Sequence, residues 1–224
     1  MQDDRIQAQL YLGPGPYNIE TRYKPYQVLD DHRVRHVVWF EDALSHYGVP
    51  TVSFDLYILV EDIDLAVHVL AQEGWTFDMQ GPHLIGNAEV DLADQPQQRL
   101  ISPDGQWRTV LLPATDWKFP LTSDTRLEYH APFEDHPSHK VPFPPLAGLL
   151  DALIESWLEC SNDDAMLSIV LACQISYLYA HVPAVKQKLF AEQMRYEHRQ
   201  YHYDVLAGME SRHVAVSTAP AADS

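Results

Sequence analysis

Apolar and polar residues alternate most regularly in TVSFDLYILV, residues 51–60. An alternation with a period of two predicts a β-strand, because successive side chains of a strand point to opposite faces of the sheet. The pattern predicts an apolar face of Val52, Phe54, Leu56, Ile58 and Val60, and a second face that carries Ser53, Asp55 and Tyr57. We therefore expect the first face to pack against helices and the second to line a site.

Short helices and strands are predicted on both sides of this strand. The pattern indicates a helix over 25–33, a strand over 36–40 and a helix over 41–48 that ends at Gly48. Helical spacing then recurs in Ile63, Ala66, Val67 and Leu70, and Gly74 ends that helix. The acids Glu61, Asp62 and Asp64 are explained as a helix N-cap and first-turn charges. Further strands are expected over 75–79 and 107–112, with a loop around Gly81-Pro82 between them.

The second half of the chain is predicted to be helical. A linker over 129–145 precedes a helix that begins at 146, where Pro144 and Pro145 suit a helix start. Residues 164–180 are apolar nearly all round, which indicates a helix buried between neighbours. A last helix is expected over 184–208, ending at Gly208, with one apolar stripe made of Phe190, Met194, His198, Tyr201 and Val205.

These elements predict an α/β (α+β) fold with a small mixed sheet and flanking helices. We expect an N-terminal loop segment over 1–24, an α/β core over 25–125, a C-terminal helical subdomain over 140–210 and a flexible tail over 211–224. The Gly-Pro alternation at 13–16 favours the N-terminal loop.

Composition and charge narrow the classes of partner. The 224 residues are 46% hydrophobic, and 15 Lys and Arg against 32 Asp and Glu give a net charge of −17. This charge disfavours non-specific nucleic-acid binding and acidic membranes, but a single nucleotide carried with Mg²⁺ remains compatible. The two cysteines, Cys160 and Cys173, fit neither a disulfide framework nor a zinc site. Without a signal peptide or an apolar run of roughly 20 residues, the chain is expected to be a soluble cytoplasmic protein without a membrane partner.

The residues around the predicted strand carry a resemblance to a known family. The run VVWFEDALSHYGVPTVSFDLYILV, residues 37–60, resembles the core of minimal nucleotidyltransferase-fold proteins, which include antitoxin-type and antibiotic-modifying enzymes. In that family a glycine turn follows a strand, an "AL..YG" helix comes next, and the following strand carries Asp-x-Asp. Here Ala43-Leu44 and Tyr47-Gly48 match the helix, and Asp55-Leu56-Tyr57 occupies the Asp-x-Asp position. The final HRQYHYDVL resembles the family's C-terminal helix, and the whole chain resembles small uncharacterised fungal proteins.

The resemblance implies a site for a metal ion and a nucleoside triphosphate. Two carboxylates at i and i+2 of a strand point the same way and together hold Mg²⁺, while the glycine turn lets backbone N–H groups approach the phosphates. This chain departs from the pattern, because Phe40 and Glu41 replace the glycines and Tyr57 replaces the second aspartate. The family's third carboxylate has no counterpart in WRTVLLP. A carboxylate at the phosphate position is repulsive, so conventional nucleotidyl transfer is not expected.

Two interpretations of these residues remain open. In the first, the fold is kept as a ligand-binding or interaction module for a small molecule or a protein, with Glu41, Asp42 and Ser53 binding the ligand beside Asp55 and Tyr57. In the second, the carboxylates are rearranged, Asp55 and Glu41 hold Mg²⁺, and a divergent metal-dependent transferase persists with Asp55 and Tyr57 as its catalytic positions. Convergence of the Asp55 and Glu41 oxygens would favour the metal site, whereas hydrogen bonds from Asp55 to backbone or to Arg33 or Arg35 would favour a structural role.

Histidines supply two weaker candidates. His198 and His202 lie four residues apart, a spacing that suits zinc, but no H-E-x-x-H pattern is present and satisfied core histidines are the expected interpretation. The stretch EDHPSHK, residues 134–140, is expected to be a solvated linker that takes up metal only adventitiously. GxSxG, phosphate-loop and dinucleotide-binding motifs are absent from the sequence.

Overall fold

The apolar run LYILV, residues 56–60, forms an inner strand of the main sheet. The structure is a computed structural model that describes residues 19–79, 84–85, 88–89, 97–131, 140–160 and 165–217. In these residues the α-helices are α1 (Ile19–Asp31), α2 (Phe40–His46), α3 (Ile63–Gln72), α4 (Leu146–Glu159), α5 (Ala165–His181) and α6 (Arg199–Ser217). The strands are β1 (His36–Val38), β2 (Leu56–Val60), β3 (Thr76–Phe77), β4 (Leu84–Ile85), β5 (Ala88–Glu89), β6 (Gln98–Ile101), β7 (Arg108–Pro113), β8 (Glu128–His130) and β9 (Val141–Phe143).

Five strands form one mixed sheet in the order β1-β2-β7-β6-β3. The central pair β2 and β7 is parallel, and the other neighbours are antiparallel. The parallel pair requires a long crossover, which contains α3 and the antiparallel strands β3 and β6. Together with helices on the sheet, this arrangement confirms the predicted α+β fold with a small mixed sheet.

The strand β2 is buried on both faces, which corrects the prediction of one apolar and one open face. All five residues from Leu56 to Val60 are buried, because β2 lies in the middle of the sheet between β1 and β7. A central strand that is covered on both sides carries a continuous apolar run. The preceding residues 51–55 lie outside the strand, and Val52 and Phe54 are exposed rather than packed.

The helices of the first half lie where they were predicted, except that the first one begins earlier in the chain. The side chain of Asp62 accepts a hydrogen bond from the N–H of Leu65, so Asp62 is the expected N-cap of α3. Gly48 and Gly74 follow α2 and α3 with φ values of +88° and +95°, which an L-residue adopts only with strain. The helix α1 begins at Ile19, so residues 19–24 are helical instead of the predicted loop. Residues 1–18 lie outside the described part.

The second half contains two corrections. The region predicted as one helix over 184–208 begins with three 3-10 helices, Pro183–Lys186, Phe190–Gln193 and Tyr196–His198. The helix α6 follows and continues through Gly208 to Ser217, where the sequence predicted a helix end and a tail. One cause is a contact with a distant part of the chain: the N–H of Arg195 donates to the buried Asp151 of α4 at 2.9 Å, so this N–H does not continue a helix. The predicted linker over 129–145 contributes to an antiparallel hairpin of β8 and β9.

The helix α5 is also less enclosed than its apolar sequence predicts. Leu167, Leu171 and Leu178 are buried against the core, but Met166, Ile169 and Tyr177 on the opposite side are exposed. In the described part of the chain, none of the helices has both the length and the apolar character needed to cross a bilayer.

Candidate functional site

The turn that opens α2 has a left-handed residue where the resembled family has glycine. Trp39 is extended and its N–H donates to the carbonyl of Tyr57 at 3.0 Å, and Phe40 follows with φ of +50°. This conformation costs an L-residue roughly 1–2 kcal/mol. The Phe40 ring offsets the cost by packing edge-on against Tyr57 at 5.1 Å and Trp117 at 4.9 Å between ring centroids. The backbone of the turn is thus glycine-like, while the space beside it is filled by an aromatic ring.

Asp42, in the first turn of α2, is held by α1. Its Oδ2 accepts a hydrogen bond from Nη2 of Arg22 at 2.6 Å and its Oδ1 accepts one from the Tyr23 hydroxyl at 2.8 Å. The side chains of Arg22 and Asp42 are only 6% and 4% exposed. Arg22 also donates to the carbonyl of Phe54 at 2.7 Å. Asp42, predicted to bind a ligand, therefore joins α1, α2 and the segment before β2.

Asp55 faces two arginines from neighbouring strands. Arg108 Nη1 lies 3.2 Å from Asp55 Oδ1, and Arg99 Nη1 lies 3.8 Å from Asp55 Oδ2. Arg108 is in turn fixed by Asp78, whose Oδ2 accepts a hydrogen bond from Arg108 Nε at 2.5 Å. Burial raises the pKa of the Asp55 carboxyl, and the charges of Arg108 and Arg99 oppose that rise. The sequence hypothesis expected Arg33 or Arg35 as structural partners, and the observed arginines are different ones.

The strand register explains why these arginines meet Asp55. Leu56 pairs with Thr109 in the parallel ladder, so Asp55 and Arg108 are adjacent at the start of the two strands. In the β6–β7 pair, Ile101 lies opposite Arg108, and Arg99, two residues earlier than Ile101, points to the same face. A signal existed in the sequence: Arg99 and Arg108 lie immediately before the apolar residues of β6 and of β7 or one residue away from them. Only the pairing of β2 with β7 assigns them to Asp55.

Glu41 is the one predicted site residue whose carboxylate has an orphan oxygen. It is 6% exposed, and its Oε2 has no hydrogen-bond partner among the described residues. Burial raises the pKa of its carboxyl to about 7, with smaller contributions from the charges of Asp42 and Asp55. A buried carboxyl with one orphan oxygen that titrates near neutrality is suited to proton exchange or to holding a cation.

Tyr57 and Ser53 complete the predicted set. Tyr57 is fully buried, and burial raises the pKa of its phenol, so the hydroxyl remains protonated near neutral pH. Ser53 is partly buried in the segment before β2. The structure therefore brings Glu41, Asp42 and Asp55 into one charged network with arginines, and places Tyr57 in the core beneath it.

The two histidines spaced four residues apart, His198 at the end of the last 3-10 helix and His202 in α6, are core residues, as expected. His198 Nδ1 lies 2.8 Å from Asp151 Oδ1, and His202 Nδ1 lies 2.9 Å from the Tyr179 hydroxyl. Both imidazoles are buried. Their neighbours Asp151 and Tyr179 lie on α4 and α5, so the pair holds the C-terminal helices together.

A different group of side chains has the composition of a metal site. In the described part of the chain, His46, Glu128 and His130 offer three ligand atoms that lie within 4.8 Å of one another. Sequence reasoning missed this group, since His46 and Glu128 are 82 positions apart in the sequence. The stretch 134–140, considered for metal binding, falls almost wholly outside the described residues.

Among known proteins, this chain is similar to solved structures. No protein-family model matches the chain, and no curated protein matches it. The structure is similar to that of an antigenic nucleotidyltransferase-like protein from Paracoccidioides brasiliensis, at 14% identity and a TM-score of 0.46, over 89% of this chain and 91% of that one. It is also similar to a putative nucleotidyltransferase from H. pylori, at 13% identity and a TM-score of 0.35, over 93% of this chain and 100% of that one. The structures to which this chain is similar thus include nucleotidyltransferase-like proteins, the kind named by its sequence resemblance.

Proposed function

We propose that this chain is a ligand-binding or interaction module that does not carry out conventional nucleotidyl transfer. The observation that carries the proposal is the charge state around Asp55, the residue at the Asp-x-Asp position. Its carboxylate already faces Arg108 at 3.2 Å and Arg99 at 3.8 Å, and Arg108 is fixed by Asp78.

A divalent cation at Asp55 would have to displace these guanidinium groups or stay beside them. Two like unit charges about 4 Å apart repel by about 4 kcal/mol at an effective dielectric constant of 20. The repulsion between a doubly charged ion and a guanidinium group is larger. The neighbouring position offers no second metal ligand, because Tyr57 is a buried, neutral phenol. These charges support a structural role for Asp55 in this chain.

The turn at α2 also opposes the binding of a triphosphate. The Phe40 ring is buried against Tyr57 and Trp117, which fills the space beside the left-handed turn. Glu41 follows with a carboxyl that carries negative charge above its pKa of about 7. A phosphate at this turn would meet an aromatic ring and a like charge, where the resembled family has glycine.

The exposed side of α5 favours a protein partner for the interaction module. Met166, Ile169 and Tyr177 are 48%, 56% and 47% exposed, and Cys173 lies exposed between them. Their spacing places them on one side of the helix. Exposed apolar surface that is contiguous along a helix is typical of interaction sites. An Ile169→Asp variant should keep its stability within about 0.5 kcal/mol, because the site is exposed, and should lose binding of the partner.

A thermal-shift titration tests the proposal directly. The wild type and Asp55→Asn are heated with ATP, GTP, CTP or UTP, each with and without Mg²⁺ or Mn²⁺. A ligand at 100 times its Kd would stabilise the fold by about 2.7 kcal/mol, which is a measurable shift of Tm. We expect that no nucleotide shifts Tm in a way that requires the metal, in either protein. Asp64→Asn, a change of an exposed acid in the first turn of α3, serves as the matched control. A metal-dependent shift that Asp55→Asn abolishes and Asp64→Asn retains would reject the proposal.

The second candidate function is the divergent metal-dependent transferase, and the orphan carboxyl of Glu41 favours it. Glu41 Oε2 has no partner among the described residues, and Asp55 is close enough to raise the pKa of Glu41. If these two residues share Mg²⁺ or Mn²⁺, the metal should raise Tm without any nucleotide, and Glu41→Gln should abolish that effect. Absence of a Mn²⁺-dependent shift in the wild type would remove this candidate.

A further inference from the structure

The end of α2 meets the face of the β8–β9 hairpin through an aromatic contact. The ring of His46, in the last turn of α2, stacks on the ring of Phe143 in β9, with centroids 3.9 Å apart and planes 17° apart. The hydroxyl of the next residue, Tyr47, donates to the carbonyl of Pro144 at 2.5 Å. Two adjacent residues thus attach α2 to the same end of β9, which fixes where the His46 imidazole lies.

The hairpin register brings two more ligand groups to that place. Glu128 of β8 pairs directly with Phe143, and His130 pairs with Val141. Residues two apart in a strand point to the same face, so Glu128 and His130 share a face beside the Phe143 ring. The His46 and His130 ring centroids are 4.5 Å apart, and His130 Nε2 lies 3.7 Å from Glu128 Oε2. The ligand atoms of all three residues lie within 4.8 Å of one another.

We propose that His46, Glu128 and His130 form a binding site for a divalent transition-metal ion, with Zn²⁺ as the first candidate. Two imidazoles and one carboxylate are ligands that suit Zn²⁺, Cu²⁺, Ni²⁺ and Fe²⁺. Mg²⁺ and Ca²⁺ prefer oxygen ligands only, so this site differs in chemistry from the one at Asp55 and Glu41. The proposal does not depend on the proposed function.

The side chains can close around an ion with small movements. Zinc bonds of about 2.0–2.2 Å place tetrahedral ligands about 3.4 Å apart. Because the three ligand atoms lie within 4.8 Å of one another, no separation has to shrink by more than about 1.4 Å. The side chains of Glu128 and His130 are 44% and 50% exposed and can rotate toward His46, which the Phe143 stack holds in place. Three protein ligands leave a fourth position on the exposed side for water or a small anion.

The test uses the untagged full chain after removal of metal with a chelator. Co²⁺ reports a four-coordinate site by its visible absorption, and Zn²⁺ affinity follows from competition with a chromogenic chelator. We expect one Co²⁺ per chain, displaced by one Zn²⁺. Loss of an outer-shell partner lowers metal affinity by about 10–100-fold, so loss of a direct ligand in His130→Ala or Glu128→Gln should lower it by at least about tenfold.

Two controls separate this site from other histidines. His68→Ala removes an exposed histidine of α3 that contacts Gln72, and the double variant His136→Ala/His139→Ala removes the histidines of the 134–140 stretch. Both should bind Co²⁺ like the wild type. Glu128→Gln and His130→Ala change exposed side chains, and circular dichroism should report them folded. The proposal is overturned if no stoichiometric Co²⁺ binding occurs, if binding survives in both ligand variants, or if it disappears in the double variant.

Discussion

Glu41 offers the sharpest test of the charged network, because its carboxyl is buried without a full set of partners. It is 6% exposed and its Oε2 has no hydrogen-bond partner among the described residues. Replacement by glutamine keeps the shape of the side chain and removes its ionisation. We predict that Glu41→Gln changes the dependence of stability on pH, whatever its effect at one fixed pH.

The magnitude follows from the pKa of Glu41. Burial raises this pKa from 4.5 to about 7 in the folded chain. Below pH 4.5 both the folded and the unfolded chain carry the proton, so Glu41 leaves the free energy of unfolding unchanged. Between pH 4.5 and 7 the unfolded chain releases the proton and the folded chain keeps it, so rising pH favours unfolding. Above pH 7 the full penalty of about 3 kcal/mol remains in the wild type and is absent from the variant.

Urea denaturation followed by circular dichroism at pH 5, 6, 7 and 8 measures this difference. From pH 5 to pH 8 the wild type should lose roughly 2–3 kcal/mol more stability than Glu41→Gln, since part of the penalty is already present at pH 5. The other titrating groups are common to both proteins and cancel in the comparison. Glu61→Gln, an exposed acid paired with Arg35, should follow the wild type within about 1 kcal/mol. Parallel pH profiles of the wild type and Glu41→Gln would refute the reasoning.

Three further predictions concern contacts around the site, each measured as the free energy of urea unfolding. Arg22→Ala leaves the buried Asp42 carboxylate without its cation and should cost about 3–5 kcal/mol, and a loss below 1 kcal/mol would contradict the buried pair. Phe40→Gly removes the backbone strain of a left-handed residue but also removes a buried ring, so a net loss of stability of about 2–3 kcal/mol is expected. A variant as stable as the wild type would contradict this. Asp62→Ala removes the N-cap of α3 and should cost about 1 kcal/mol, whereas Asp62→Asn should retain most of the stability.

Local patterns in the sequence predicted most of the α-helices but missed the strands β4, β5, β6, β8 and β9. The helical stripe from Ile63 to Leu70 with Asp62 before it predicted α3 and its cap, because caps and helical spacing depend on residues within one turn. The apolar spacing after Pro145 predicted the start of α4 at Leu146 for the same reason. Where a distant contact competes, the local pattern failed, as in the 3-10 segments beside Asp151.

The sequence predicted the acidic residues of the candidate site but not the arginines that pair with them. The sequence placed Glu41, Asp42 and Asp55 near one another, since they flank a short helix and one strand. It did not supply their partners, because Arg22, Arg99 and Arg108 come from α1, β6 and β7. A side chain in a central strand was expected to line a site, but the neighbouring strands and helices bury Tyr57 completely.

The sequence alone predicts the α+β class, most of the α-helices and the strands β1, β2, β3 and β7, together with the departures of Phe40, Glu41 and Tyr57 from the resembled motif. Tertiary structure alone decided that Asp55 is neutralised by arginines, that Glu41 keeps an orphan oxygen, and that His46 meets Glu128 and His130. The physical reason is range: propensity, capping and periodicity act within a few residues, whereas charge pairing and metal-ligand convergence depend on strand register and helix packing between distant parts of the chain.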